Sequence, residues 1–213
     1  MTLCIRIPKR MAAAAVLVLA LGACGGSSSL VNMWKDPEFP KQPIRSAMVI
    51  AIKEDPAIRR IWEDAFVSEL ANEGVRAVPS YRGFPTELPD TQQVVDMVRQ
   101  DDYDGVITIV GLGSETQSTY VPGYVTTAPV THYNHWTGYY DTWYRDVYEP
   151  GYVTTDQVVR QRVDVWSVDE GGTLVWTGTT QTLNPTSGDE VRKDVTDLVI
   201  PELKEHHVIT SRS

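Results

Sequence analysis

Along the first half of the chain, short unbroken apolar runs alternate with segments whose apolar residues recur every three or four positions. Residues 47–52 (AMVIAI) form a continuous run rich in branched side chains, which predicts a strand buried on both faces. Asp55-Pro56 then opens a helix, with Asp as N-cap and Pro at the first helical position. On it Ile58, Ile61, Trp62, Ala65, Phe66 and Leu70 repeat at helical spacing, and Gly74 ends it. Trp62 and Phe66 are therefore expected against the sheet. Residues 75–78 predict a short second strand, and 90–100 a second helix with Val94, Val95 and Val98 on one side. Residues 105–110 (GVITIV) predict a third buried strand. The β-α-β-α-β order implies a layered α/β sheet with right-handed crossovers.

The second half changes pattern. From 159 to 168 apolar residues alternate with Arg160, Arg162 and Asp164, the period of a half-exposed strand. Asp169-Glu170-Gly171-Gly172 predicts a hairpin turn, and 173–183 a returning strand through Leu174 and Trp176. Ser187 can cap a last helix carrying Val191, Val195, Leu198 and Leu203, in which Pro201 is expected to produce a kink. The expected fold class is α/β: a mixed sheet in two or three layers, covered by about three helices. Between the halves lies an aromatic-rich insertion at 120–152, read as a long hairpin or loop. It holds eight of the ten tyrosines and two of the six tryptophans, too many rings for a disordered linker. The hexapeptide Pro-Gly-Tyr-Val-Thr-Thr occurs in it twice, at 122–127 and 150–155. Paired copies would bring the ends of 128–149 together and make that stretch a modular recognition element. Trp136, Tyr139, Tyr140, Trp143 and Tyr144 are its candidate partner-binding residues, because such rings offer a large contact area with a polar tip. The competing reading folds these rings over the sheet as part of the core.

The N-terminus has its own pattern. Arg6, Lys9 and Arg10 precede an apolar run over 11–21, the layout of a secretory signal and well short of the roughly 20 residues that span a bilayer. The run ends in Leu21-Gly22-Ala23-Cys24, which resembles the bacterial lipobox; that resemblance implies cleavage before Cys24 and acylation of its sulfur. Cys4 lies in the discarded part, so the mature chain has one cysteine and no internal disulfide. Acylation would cap a thiol otherwise exposed in an oxidising compartment. Gly25 in place of Asp, by similarity to the lipoprotein sorting rule, implies the outer membrane. The expected organisation is a signal peptide at 1–23, lipidated Cys24 with a flexible tether at 24–43, and one domain at 44–209.

Cleavage removes three positive charges and no negative one, taking the formal net charge from −9 to −12. An acidic surface without a basic stripe excludes nucleic acid and anionic phospholipid as natural partners. His132 and His135 sit near Asp141 and Asp146, but Pro129 and Gly138 argue against the helix that would aim two histidines at one metal. They read as loop histidines, and the adjacent His206 and His207 as solvent-facing. Gly111-Leu112-Gly113-Ser114 lacks the lysine of a phosphate loop and is expected to lead into a strand. Neither Gly-x-Ser-x-Gly nor His-Glu-x-x-His occurs. No cofactor, metal or catalytic residue is expected.

Trp34-x-Asp36-Pro37, Asp55-Pro56 with Arg59-Arg60 and Glu63, Tyr103-Asp104-Gly105-Val106 and Leu174-Val175-Trp176 resemble an uncharacterised family of small bacterial envelope lipoproteins. The element order is also similar to the TolB N-terminal domain, the curli secretion lipoprotein and the lipoprotein activators of penicillin-binding proteins. The resemblance implies an envelope role and brings no catalytic residues. The expected function is a lipid-anchored, non-catalytic binding or scaffold lipoprotein on the periplasmic side of the outer membrane. Its partners would be the membrane, through Cys24, and an envelope protein. The alternative is an envelope hydrolase or glycan-binding protein acting on polysaccharide, for which two facing carboxylates in a pocket would be the signature.

Overall fold

The computed structural model describes residues 27–39, 42–134, 139–168 and 172–210. The chain forms the expected mixed sheet with three helices. Strands β1 (Ser27–Lys35), β2 (Ser46–Ile52), β3 (Arg76–Pro79), β4 (Gly105–Val121), β7 (Tyr152–Ser167) and β8 (Thr173–Leu183) build one sheet in the order β1-β8-β7-β4-β2-β3. β2 is parallel to β3 and β4, and the other pairs are antiparallel. Strands β5 (Tyr124–Asn134) and β6 (Tyr139–Glu149) form a separate two-stranded sheet.

Helices α1 (Pro56–Asn72) and α3 (Gly188–Glu205) cover one face of the large sheet, and α2 (Thr91–Gln100) covers part of the other. Alternation along the strands divides the core accordingly. Ala47, Val49, Ile107, Ile109, Val163 and Val165 meet α1 and α3, while Met48, Ile50 and Val106 meet Val98 of α2. The connection β2-α1-β3 moves one way across the sheet, and β3-α2-β4 passes back beyond β2. Right-handed crossovers in opposite directions place their helices on opposite faces.

The start of α1 follows its sequence. The Asp55 carboxylate accepts from the amides of Ala57 and Ile58 at 2.7 and 3.3 Å, satisfying two of the four free donors of the first turn. Asp55→Ala should lower stability by about 1 kcal/mol, measured by urea unfolding with an unchanged slope.

The buried face of α1 is rotated from the expected one. Trp62 and Phe66 are buried, but Ile58 and Ile61 are 47% and 48% exposed. The face is Arg59, Trp62, Glu63, Phe66 and Leu70, and Arg59 and Glu63 are buried because they pair with each other. The helix α3 runs on through Pro201 to Glu205. Val191, Val195 and Leu203 are buried, and Val199 and Ile200 join them in place of Leu198.

The residues read as a flexible tether and lead-in also differ. Ser27–Lys35 is the edge strand of the sheet, in register with β8 from Ser27↔Leu183 to Lys35↔Trp176. Ser28 binds laterally: its Oγ lies 2.9 Å from Thr182 Oγ1 and 2.6 Å from Asp194 Oδ2. β1 fits because the outer rim of β8 offers unpaired amides and carbonyls, which any non-proline backbone can satisfy.

The remaining sequence signatures have structural explanations. Asp104 Oδ2 accepts from the amides of Arg45 and Ser46 at 2.9 and 3.0 Å, holding the start of β2 beside β4. At Gly105 a Cβ would come within 2.9 Å of the Trp166 carbonyl oxygen, so the close strand approach requires glycine. Trp176 is wholly buried, with Gly178 beneath its ring.

Candidate interaction arm

β4 and β7 extend far beyond the sheet. Only residues 105–110 of β4 pair with β2, and β8 leaves β7 at the pair Val158↔Leu183. The pairs from Thr116↔Gln157 to Val121↔Tyr152 therefore form a free two-stranded ribbon. Its root is braced where β8 ends. Asn184, in the left-handed conformation at φ 50°, donates its amide to the Gln157 carbonyl at 2.7 Å. Asn184 Oδ1 accepts from the Gln157 amide at 2.8 Å, and Arg160 Nη1 lies 2.6 Å from Glu115 Oε1. The Gly111–Ser114 stretch is part of this strand. It carries a bulge between Gly111 and Gly113, with Gly113 at φ 101°.

The ribbon breaks in both strands at one level, at Pro122-Gly123 and at Pro150-Gly151, and then continues as the β5–β6 hairpin. The two glycines nearly touch. A Cβ on Gly123 would lie 2.6 Å from the Gly151 nitrogen, and one on Gly151 would lie 2.8 Å from the Gly123 nitrogen. The two hexapeptide copies therefore meet at the joint but do not pair with each other. Tyr124–Thr127 of the first copy faces residues 146–149, and Tyr152–Thr155 of the second faces residues 118–121. The module that projects is thus Tyr124–Glu149, wider than the expected 128–149.

The candidate partner-binding residues fall on this hairpin unequally. Tyr144 is 69% exposed and opposite Pro129. Tyr139, Tyr140 and Trp143 occupy β6 positions opposite Asn134, Tyr133 and Val130. Trp136 and the lipidation candidate Cys24 lie outside the described residues. Tyrosines not singled out from the sequence complete the exposed set: Tyr120, Tyr124, Tyr148 and Tyr152 are all more than half exposed. Their signal was the same aromatic enrichment; the register is what places them. His132 stands opposite Asp141 on the neighbouring strand, and His135 lies outside the described residues. Among the described residues no group of three His, Cys, Asp or Glu side chains could hold a metal ion. His206 Nε2 sits 3.4 Å from Glu202 Oε2, half-buried, while His207 is exposed.

Two further features lie at the sheet. On the α2 side a groove of about 570 Å³ has a floor of Ile50, Val106 and Val110 and a wall of Val94 and Val95. Asp164 is the carboxylate that lines it among the described residues, and it is bound by Arg162 Nε at 3.0 Å and Thr177 Oγ1 at 2.6 Å. Lys53 lies at the carboxyl ends of the parallel strands, where ligands of open α/β sheets commonly bind. Its Nζ donates to Gln161 Oε1 at 2.6 Å and lies 4.4 Å from the centre of the Trp62 ring.

Burial lowers the Lys53 ammonium from its ordinary range to about 8. The folded chain then holds fewer protons than the unfolded one between pH 8 and the usual lysine range, so this group's contribution to stability rises with pH across that window. Below pH 8 its penalty is complete, and the Trp62 ring and Gln161 offset part of it. Lys53→Met should flatten the stability profile between pH 8 and 10, as followed by thermal melts. An unchanged slope would show that Lys53 titrates normally.

No protein-family model and no curated protein matches the sequence. Among solved structures the chain is similar to a PelC dodecamer from Paraburkholderia phytofirmans that carries a single leucine-to-methionine substitution. That match has 14% identity and TM-score 0.44, over 88% of this chain and 99% of that one. The PelC dodecamer from the same organism in a second crystal form gives 13% identity and TM-score 0.45, over 87% and 100%. A PDZ domain protein from Parabacteroides distasonis gives 9% identity and TM-score 0.36, over 84% of this chain and 36% of that one.

Proposed function

We propose that this protein is a lipid-anchored, non-catalytic binding or scaffold lipoprotein on the periplasmic side of the outer membrane. In this reading it engages another component of the envelope through its arm. The observation that carries the reading is the β5–β6 hairpin. It forms a sheet of its own, its described side chains join neither core cluster, and it presents Tyr124, Val125, Tyr144 and Tyr148 to solvent. A fold does not maintain such a surface for its own stability, and exposed aromatic clusters of this kind serve contact. The lipobox-like Leu21–Cys24 supports the address, since two or three acyl chains hold a protein firmly where one does not. Among the described residues no helix is long and apolar enough to cross a membrane.

Two measurements test this. Cys24→Ser should move the protein from the membrane to the soluble fraction with its circular dichroism unchanged; a mature N-terminus other than acylated Cys24 by mass spectrometry would defeat the anchor. A photo-reactive residue at Tyr144 should give a discrete crosslinked species in living cells. No species from folded, envelope-located protein would defeat the contact role.

A further inference from the structure

The root of the arm and the N-terminal end of β1 leave the sheet on the same side. Ser27, Leu183, Val158 and Glu115 occupy one row across β1, β8, β7 and β4. Three strand spacings place Ser27 roughly 14 Å from Glu115. From that row β1 runs inward toward Lys35, with Ser27 at its outer end. β4 crosses the row in the opposite sense and continues outward as the arm.

The arm and the stretch of sequence between Ser27 and Cys24 differ greatly in length. Cys24 precedes Ser27 by three residues, a reach of at most about 10 Å. The arm continues from Thr116 through Asn134, a contour of roughly 60 Å at strand spacing. With Cys24 acylated, which is the reading proposed above and on which this inference rests, the bilayer surface is held close to the end from which the arm projects. An arm several times longer than the tether meets that surface.

We infer that the component engaged by the arm is the bilayer itself, the β5–β6 hairpin lying along the headgroup layer with its Val125, Tyr144 and Tyr148 face toward the acyl chains. Register puts these three on one side with Pro129 and the single charge of Asp146, whereas Arg145 and Glu149 occupy the other side. Val125, Tyr144 and Tyr148 are each at least 60% exposed. Tyrosine favours this layer because its ring is apolar and its hydroxyl remains hydrated. A two-stranded ribbon has two unpaired edges that hydrocarbon would leave unsatisfied, so the hairpin lies in the wet interface and does not cross. Asp146 sets the same limit on depth. Breaks in both strands at the Gly123–Gly151 joint allow the hairpin to turn from the direction of its root onto the surface. The acidic net charge favours zwitterionic over anionic lipid.

The test uses the mature, acylated full chain in vesicles of phosphatidylethanolamine and phosphatidylcholine. Cys24 is its only cysteine, so once acylated it leaves an introduced thiol as the single reactive one. Nitroxide labels at Tyr148→Cys, at Arg145→Cys on the opposite side, and at Ser68→Cys on exposed α1 are compared for collision with oxygen against a water-soluble relaxant. The label at 148 should give an oxygen preference several-fold above that at 68, with 145 between them; Tyr144→Cys provides a second site on the same face. Labels at 148 and 144 as water-accessible as that at 68, in protein that sediments with vesicles, would overturn the inference and leave the anchor standing. Protein with no acyl mass at Cys24, or that fails to sediment, would overturn both. Protection at 148 that arises only when envelope proteins are added would assign the arm to a protein and overturn the inference alone.

Discussion

Replacing Glu63 with alanine should destabilise the domain by about 3–5 kcal/mol, the range for removing one partner of a buried ion pair. Glu63 is fully buried and Arg59 nearly so. Oε1 of Glu63 accepts from the Ala51 amide at 3.1 Å, Arg59 Nε at 2.9 Å and Ser80 Oγ at 2.7 Å, and Oε2 accepts from the Tyr81 amide at 3.0 Å. Arg59 in turn donates to the carbonyls of Phe84 and Glu87 at 3.0 and 2.8 Å and to Ser80 Oγ at 2.7 Å. The pair therefore ties α1 to the end of β2 and to the segment that follows β3. Alanine at 63 would leave four donors without an acceptor and a guanidinium without its counter-ion. Against a domain stability of about 5–15 kcal/mol that is a large loss. For a chain of this size it lowers the melting temperature by roughly 10 °C or more. Arg59→Met should also destabilise, but the double variant Arg59→Met/Glu63→Leu should cost less than the two single changes combined, because no charge is then stranded. Additive losses would show that the two side chains act independently.

The same residues show how far the sequence could be read. The spacing of α1 was legible, and so were its cap, the burial of Trp62 and Phe66, and the order of strands around it. Its rotation was not. Arg59 and Glu63 are in phase with Phe66 and Leu70, whereas Ile58 and Ile61 are not, yet an Arg and a Glu four apart usually mark a solvated face. What buries them is Ser80 and the carbonyls of residues 84 and 87, more than 15 positions away. β1 was hidden for a related reason. Three serines followed by a mixed run carry no period, and the strand exists because β8, about 150 residues later, supplies the ladder.

A strand after Gly111–Ser114 was expected, but the length and pairing of the outer halves of β4 and β7 were not legible, on other grounds. Residues 111–121 place polar or exposed side chains on both faces, and without a buried face there is no alternation to detect. The ribbon is long because each strand answers the other through sixteen register pairs, a property of two segments together and of neither alone. Composition did locate the aromatic insertion and the hexapeptide repeat. It could not say that the copies meet at a joint without pairing, because their local sequences are identical and only the partners differ.

That joint defines the variant with the largest effect on function. Replacing Tyr124–Glu149 with a short Gly-Ser loop between Gly123 and Pro150 should leave the melting temperature within a few degrees of the parent and abolish the crosslinks formed from the arm. The cut ends are already together, since the Gly123 and Gly151 backbones are in contact and the last β4–β7 pair, Val121↔Tyr152, remains. Each halving of a loop changes its closure cost by only about 0.6 kcal/mol, so a fourfold shortening shifts stability by about 1 kcal/mol. Among the described residues neither core cluster loses a side chain. A crosslinker at Tyr120, which stays in the shortened protein and is exposed, supplies the readout. Its adducts should fall to background in the variant while Cys24 still fractionates with the membrane. If the variant unfolds, the aromatic hairpin belongs to the stability of the domain, and the contact role assigned to it fails.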